Sequence, residues 1–184
     1  MQRKKQIIIL AAVIAVSAAW AVVHQFYEIK FTDSRTDCFP YKVWYVNKQA
    51  KEPSPGDFIM FKTPANAAHY FPKNKRWIKK VLATSGGRVD VAPAPPGETS
   101  QVVMGGMERK LPVKARVTVT QGETRQTFVV FATDSLGRKL TVIRQQTIPS
   151  GEYYLYSPIA RSYDSRYWGL VRKNEILGTA HPII

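Results

Sequence analysis

Residues 77–83, Trp77-Ile78-Lys79-Lys80-Val81-Leu82-Ala83, alternate as an extended strand does, with Trp77, Lys79 and Val81 on one face and Lys80 on the other. Similar short runs, rich in β-branched and aromatic residues and bounded by Gly, Pro, Asn or Ser, lie on both sides of it. They are Tyr41–Asn47, Asp57–Phe61, Arg88–Val91, Ala115–Thr120, Thr127–Ala132, Leu140–Arg144 and Tyr153–Tyr156. No amphipathic helix of ten or more residues interrupts them. Everything after the N-terminal apolar stretch therefore reads as mainly β, a folded sheet system with Greek-key-like or barrel closure. Ala92–Thr99 (APAPPGET) is too proline-rich for a central strand. It opens a segment running to about Gln146 that reads as an inserted β subdomain or cap, with hairpin turns at Gly105-Gly106 and Gln121-Gly122-Glu123.

Ahead of these strands stands Ile7–Val23, IIILAAVIAVSAAWAVV, 17 uncharged residues preceded by Arg3, Lys4 and Lys5. As a helix it covers about 25 Å, the short end of what a bilayer core requires. Trp20 and Tyr27 suit an interfacial aromatic anchor, and the basic residues place the N-terminus inside. The expected organisation is a cytoplasmic tail at 1–5, a transmembrane anchor at 6–24 and an exported domain at 25–184. A cleavable signal peptide is the alternative, because Ala19-Trp20-Ala21 has the A-x-A pattern. Either way the domain leaves the cytoplasm; with the anchor retained, the expected place is the bacterial inner membrane with the domain facing the periplasm.

The chain has 184 residues, 45% of them hydrophobic, enough for a core and too many for disorder. One cysteine, Cys38, excludes an internal disulfide framework, and no Cys/His cluster has metal-site spacing; neither metal nor cofactor is implied. The formal net charge is +14, and removing Arg3, Lys4 and Lys5 leaves +11 on the exported part. The basic residues are spread without interleaved aromatics, so inner-membrane lipid head groups suit this surface better than nucleic acid.

Four local motifs follow in order. They are Thr36-Asp37-Cys38-Phe39-Pro40; Gly56-Asp57-Phe58-Ile59-Met60-Phe61; Arg76-Trp77-Ile78-Lys79-Lys80-Val81 with Ser85-Gly86-Gly87-Arg88; and Ser162-Tyr163-Asp164-Ser165-Arg166-Tyr167-Trp168-Gly169. This succession resembles the type I signal peptidases, and within them the TraF-like peptidases that process pilin precursors in conjugative transfer. The fourth motif is the longest and most specific match. A Gly-Asp-Asn that usually precedes it is absent, and Ser157-Pro158-Ile159 stands near its place.

The resemblance implies a signal-peptidase-like catalytic fold and an acyl-enzyme mechanism with a Ser nucleophile and a Lys general base. The Ser position is occupied here by Cys38. By the same correspondence Lys79 is the base, Thr36 the hydroxyl that assists the oxyanion hole, Ser162 the hydroxyl that orients the lysine amine, and Asp164 with Arg166 a supporting ion pair. A lysine base must be neutral near pH 7 although an unperturbed lysine titrates at about 10.4, so apolar neighbours such as Trp77, Ile78 and Val81 are needed. Cysteine changes the balance. Its unperturbed thiol lies about two pKa units lower, so a thiolate–ammonium pair is favoured in water by about 2.6 kcal/mol. Lys79 then matters more as the acid that protonates the leaving amine.

The resemblance implies a membrane-anchored endopeptidase that cleaves exported precursors such as pilin after small residues, through shallow substrate pockets. A thioester intermediate also opens acyl transfer to an amine, as in cyclisation. The opposing reading is a catalytically inactive, peptidase-like assembly protein of a conjugation or secretion apparatus. Cys38 itself is compatible with a native thiol enzyme, an inactivated relative or an engineered change. A Cys–His pairing through His69 is the chemical alternative to Lys79.

Overall fold

The computed structural model describes residues 2–32, 38–67, 70–104, 107–134, 136–160 and 162–183. The apolar N-terminal stretch forms helix α1, Gln2–Phe26. At 1.5 Å per residue it is roughly 37 Å long, and it exposes Ile7, Ile8, Ile9, Leu10 and Trp20 along its length. Its segment Arg3–Phe26 is long and apolar enough to cross a membrane, and a signal sequence has the same character. The C-terminal end of α1 is tied to the domain. Lys48 Nζ donates to the His24 carbonyl at 2.8 Å and Lys48 N donates to that of Phe26 at 2.8 Å. These bonds satisfy helix-end carbonyls and set a cation at the negative pole of the dipole.

Twelve strands follow among the described residues: β1 Tyr27–Phe31, β2 Val43–Asn47, β3 Phe58–Lys62, β4 Arg76–Ala83, β5 Arg88–Pro93, β6 Thr99–Met104, β7 Met107–Gln121, β8 Thr124–Phe131, β9 Gln146–Thr147, β10 Glu152–Tyr156, β11 Val171–Arg172 and β12 Ile176–Pro182. Outside α1 the described α-helix is one turn, α2, Ser165–Trp168. The strands form a seven-stranded antiparallel sheet in the order β1-β2-β12-β3-β4-β10-β11 and a five-stranded one, β6-β7-β5-β9, with β8 added to β7. The mainly β reading therefore holds. Barrel closure does not occur among the described strands, because β1 and β11 end the larger sheet as open edges.

Alternation places the core. In β2, Trp44 and Val46 are buried while Val43, Tyr45 and Asn47 are less so. Ile59, Phe61, Val81, Leu155, Trp168 and Ile176 pack as one cluster behind the centre of the larger sheet. A second cluster joins the two sheets through Ala83, Val89, Val117, Val130, Ile148 and Tyr154.

The run Leu140–Arg144 is not a strand. Leu140 and Ile143 are both buried, three residues apart, which breaks the period of two. Their N–H groups also go to different partners, the carbonyls of Ala132 and Arg166. The sequence reading had not named β1, β6, β9, β11 and β12 as strands. β9 and β11 have two residues each, too short for alternation to show. β12 carries Gly178 in its interior, where a Cβ would lie 2.3 Å from the Asn47 carbonyl oxygen. Backbone against backbone leaves no room, so Gly178→Ala is expected to cost about 1–3 kcal/mol, read as a lowered midpoint in thermal unfolding.

Candidate active site

The site forms where β4, the bend at residues 38–40 and the loop following β10 converge. Lys79 lies within β4, its backbone opposite Ile59 of β3. Burial reduces the side chain to 1% exposure, a rare position for a lysine. Its Nζ donates to Cys38 Sγ at 2.7 Å and to Ser162 Oγ at 2.5 Å, and Sγ and Oγ are 3.5 Å apart. Thiol, amine and hydroxyl thus make a closed triangle from residues 38, 79 and 162. Lys80 points away from it, its amine 5.7 Å from the centre of the Phe58 ring.

The segment 162–169 builds most of the support, and each residue has a definable task. Ser162 faces the amine. Tyr163 stacks on Tyr167 at 5.3 Å between ring centres and meets Trp168 edge-on at 5.2 Å; burial first of all pushes its phenol up to about 12. Asp164 caps α2 by accepting from Arg166 N at 3.2 Å. The same carboxylate takes a bidentate bond from Arg166, Nε at 2.8 Å and Nη2 at 2.7 Å. Ser165 Oγ accepts from Leu155 N of β10 at 2.9 Å. The remaining Arg166 donors reach the carbonyls of Ile159, Ala160, Ser162 and Val129, so one guanidinium holds the Ser162 loop and touches β8 of the second sheet. Burial opposes that charge, but Asp164 more than compensates and drives its pKa upward. Tyr167 Oη accepts from Phe131 N at 3.3 Å, a second tie to β8. Gly169 ends the turn at φ +89°, a conformation that favours glycine.

Burial by itself pushes the Cys38 thiol up. The positive charge of Lys79 and hydrogen bonds from Lys79, Ser162 and Ser157 outweigh it, so the thiol titrates below its ordinary value. A cysteine whose folded value is lowered favours the fold most above the unfolded value, and loses that contribution as pH falls through the folded one. The charge pair therefore contributes stability on the alkaline side.

The structure brings together Cys38, Lys79, Ser162, Asp164 and Arg166. Thr36 and His69 lie outside the described residues. The sequence reading gave Ser157 no role, yet it is 1% exposed and its Oγ donates to the Cys38 carbonyl at 3.0 Å. A lone serine after a strand carries no signal of its own; only its nearness to the missing Gly-Asp-Asn marked the place. Beside the triangle, Phe39, Tyr41, Trp44, Trp77 and Ile78 line a cleft. β10 pairs with β4 at Lys80, Val81 and Ala83. From Arg76 to Lys79 that edge of β4 has no strand partner among the described residues.

A thiol held by a buried amine and a hydroxyl, beside a stretch of β4 edge that no described strand pairs, is an arrangement suited to acyl chemistry on an extended peptide. The family profile of "Signal peptidase, peptidase S26" matches residues 2–184, and the chain belongs to that family. It is 29% identical over 174 residues to the "Conjugal transfer protein TraF" of Agrobacterium fabrum (strain C58), covering 85% of this chain and 81% of that one. It is 26% identical over 175 residues to the "Probable conjugal transfer protein TraF" of Sinorhizobium fredii (strain NBRC 101917 / NGR234), covering 95% and 84%. Against the "Conjugal transfer protein TraF" of Agrobacterium tumefaciens (strain 15955) it is 24% identical over 191 residues, covering 100% and 97%.

Proposed function

We propose that this protein is a membrane-anchored thiol endopeptidase of conjugative transfer that processes an exported precursor, pilin, with Cys38 as nucleophile and Lys79 as its proton partner. The observation carrying this reading is the 2.7 Å contact between a buried Lys79 amine and Cys38 Sγ. Family membership supports a peptidase, and the relatives' names support a place in conjugation. The precursor lies along the open edge of β4 from Arg76 to Lys79, its scissile carbonyl at Cys38.

The Cys38 thiolate attacks the carbonyl carbon, and Lys79 delivers a proton to the departing amine as the C–N bond breaks. Water deprotonated by Lys79 then attacks the thioester, releasing a carboxylic acid and restoring the thiolate–ammonium pair. An amine can replace that water and form a new peptide bond, because thioesters accept amines readily. Ser162 holds the Lys79 amine on line, Thr36 assists the oxyanion, and Asp164 with Arg166 keeps the Ser162 loop in place. Helix α1 anchors the domain in the inner membrane with the site on the periplasmic face, where exported substrates and anionic lipid meet the basic domain.

The test uses the full chain in vesicles with a pilin precursor. Cys38→Ala should abolish processing while circular dichroism and thermal unfolding stay native-like. Unchanged processing by Cys38→Ala removes the reading. Mass spectrometry of the product separates a linear, hydrolysed chain from a cyclised one.

A further inference from the structure

Residues that touch neither Lys79 nor the bound peptide can still decide where a nucleophile sits. Ser157 follows β10 directly, and the antiparallel register that pairs Tyr156 with Lys80 carries it to the level of Lys79. Its side chain is buried, and its Oγ donates to the carbonyl of Cys38 at 3.0 Å across 119 positions of sequence. Its own N–H donates to Asp164 Oδ2 at 3.3 Å, so it is attached to the Asp164–Arg166 pair as well. The peptide that leaves Cys38 is thereby fixed to the end of β10, the strand beside the lysine.

We propose that Ser157 is the positioning residue for the nucleophile: its hydroxyl holds the Cys38 carbonyl, and so sets the direction of the Cα–Cβ–Sγ branch toward Lys79 and Ser162. This deepens the proposed function and rests on it. The geometry supplies the reason. The contacts of Cys38 include this carbonyl bond and the sulfur contacts to Lys79 and Ser162. Without the Ser157 hydroxyl, the part-buried Cys38 carbonyl loses this hydrogen bond and the bend at 38–40 gains a rotation that moves Sγ away from the amine. The same hydroxyl is among the groups that favour the Cys38 thiolate. Serine fits this task where a longer side chain would not, because the residue is 1% exposed and enclosed between β10, the Cys38 bend and Asp164.

Two variants test this in the full chain, Ser157→Ala and Ser157→Thr, with iodoacetamide as the probe. Alkylation of Cys38 reports thiolate formation directly and needs no substrate turnover. Ser157→Ala should move the pH midpoint of the alkylation rate upward and lower kcat for precursor processing about tenfold with KM little changed. Ser157→Thr, which keeps the hydroxyl, should recover most of both. An alkylation profile for Ser157→Ala that superimposes on the unsubstituted chain overturns the proposal, and so does an equal loss in both variants. A parallel measurement on Lys79→Met separates this from failure of the underlying reading. If Lys79→Met processes normally, the functional reading fails whatever Ser157 does. If Lys79→Met is inactive while Ser157→Ala keeps its profile and rate, Ser157 alone is excluded.

Discussion

Lys79→Met should reduce precursor processing by about 10²–10⁴-fold, the range that one positioned acid–base group supplies. The amine is 2.7 Å from Cys38 Sγ and 2.5 Å from Ser162 Oγ, so two of the three contacts of the triangle disappear at once. Two steps suffer together. The thiolate loses the adjacent positive charge that offsets its burial, and the departing amine loses its proton source. Methionine is unbranched and near lysine in length, and it removes a charge from a site with 1% exposure. Replacing a whole buried ion pair by apolar groups of similar volume is often neutral for a fold, whereas removing one partner strands the other; here the stranded sulfur becomes neutral by taking up a proton. The expected pairing is therefore a collapse of kcat with a thermal midpoint lowered by less than in Arg166→Met, the loss growing on the alkaline side where the thiolate would lack the Lys79 charge. Processing rates and calorimetry on the same preparation check it. A rate within threefold of the unsubstituted protein would exclude Lys79 from the chemistry.

Arg166→Met should unfold the domain more readily than any surface change. Arg166 and Asp164 are 2% and 0% exposed, and the carboxylate takes two side-chain bonds from the guanidinium. Removing the cation strands a buried carboxylate and also takes the Arg166 side-chain donors from the carbonyls of Ile159, Ala160, Ser162 and Val129. Breaking one partner of such a pair costs about 3–5 kcal/mol, which lowers the midpoint of a domain this size by roughly 10 °C. The double variant Asp164→Asn with Arg166→Met should recover part of that loss, because the stranded charge is gone. A shift of less than 2 °C for Arg166→Met would show that the pair does not hold the Ser162 loop. Activity should fall in step with stability here, more closely than in Lys79→Met, since the loop carries Ser162 itself.

How much of this could be seen in the sequence depended on where each signal resides. Strands with clean alternation, such as 115–120, were visible because one face is buried; in 77–83 the alternation runs only to Val81, after which Leu82 and Ala83 are buried as well. Leu140–Arg144 looked identical by composition, yet its buried residues sit three apart and its backbone bonds go to Ala132 and Arg166. No local pattern encodes partners contributed by distant segments. The edge strands β9 and β11 were too short to be legible, and β12 was obscured by Gly178, whose smallness serves Asn47. For the site, motif order pointed to Cys38, Lys79, Ser162, Asp164 and Arg166, which the structure gathers. Ser157 stayed hidden because its meaning is a bond to a carbonyl 119 positions away. The aromatic lining of the cleft was present as residues, but its convergence on Cys38 belongs to the fold.

The central claim is that Cys38 carries the acyl group of the cleaved precursor. Acid quenching during turnover preserves a thioester, and mass spectrometry of the digested protein then locates it. The account predicts one acyl adduct, equal in mass to the retained precursor fragment, on the peptide containing Cys38, released by hydroxylamine and missing in Cys38→Ala. Continued processing by Cys38→Ala, or an adduct on any other residue, would contradict it.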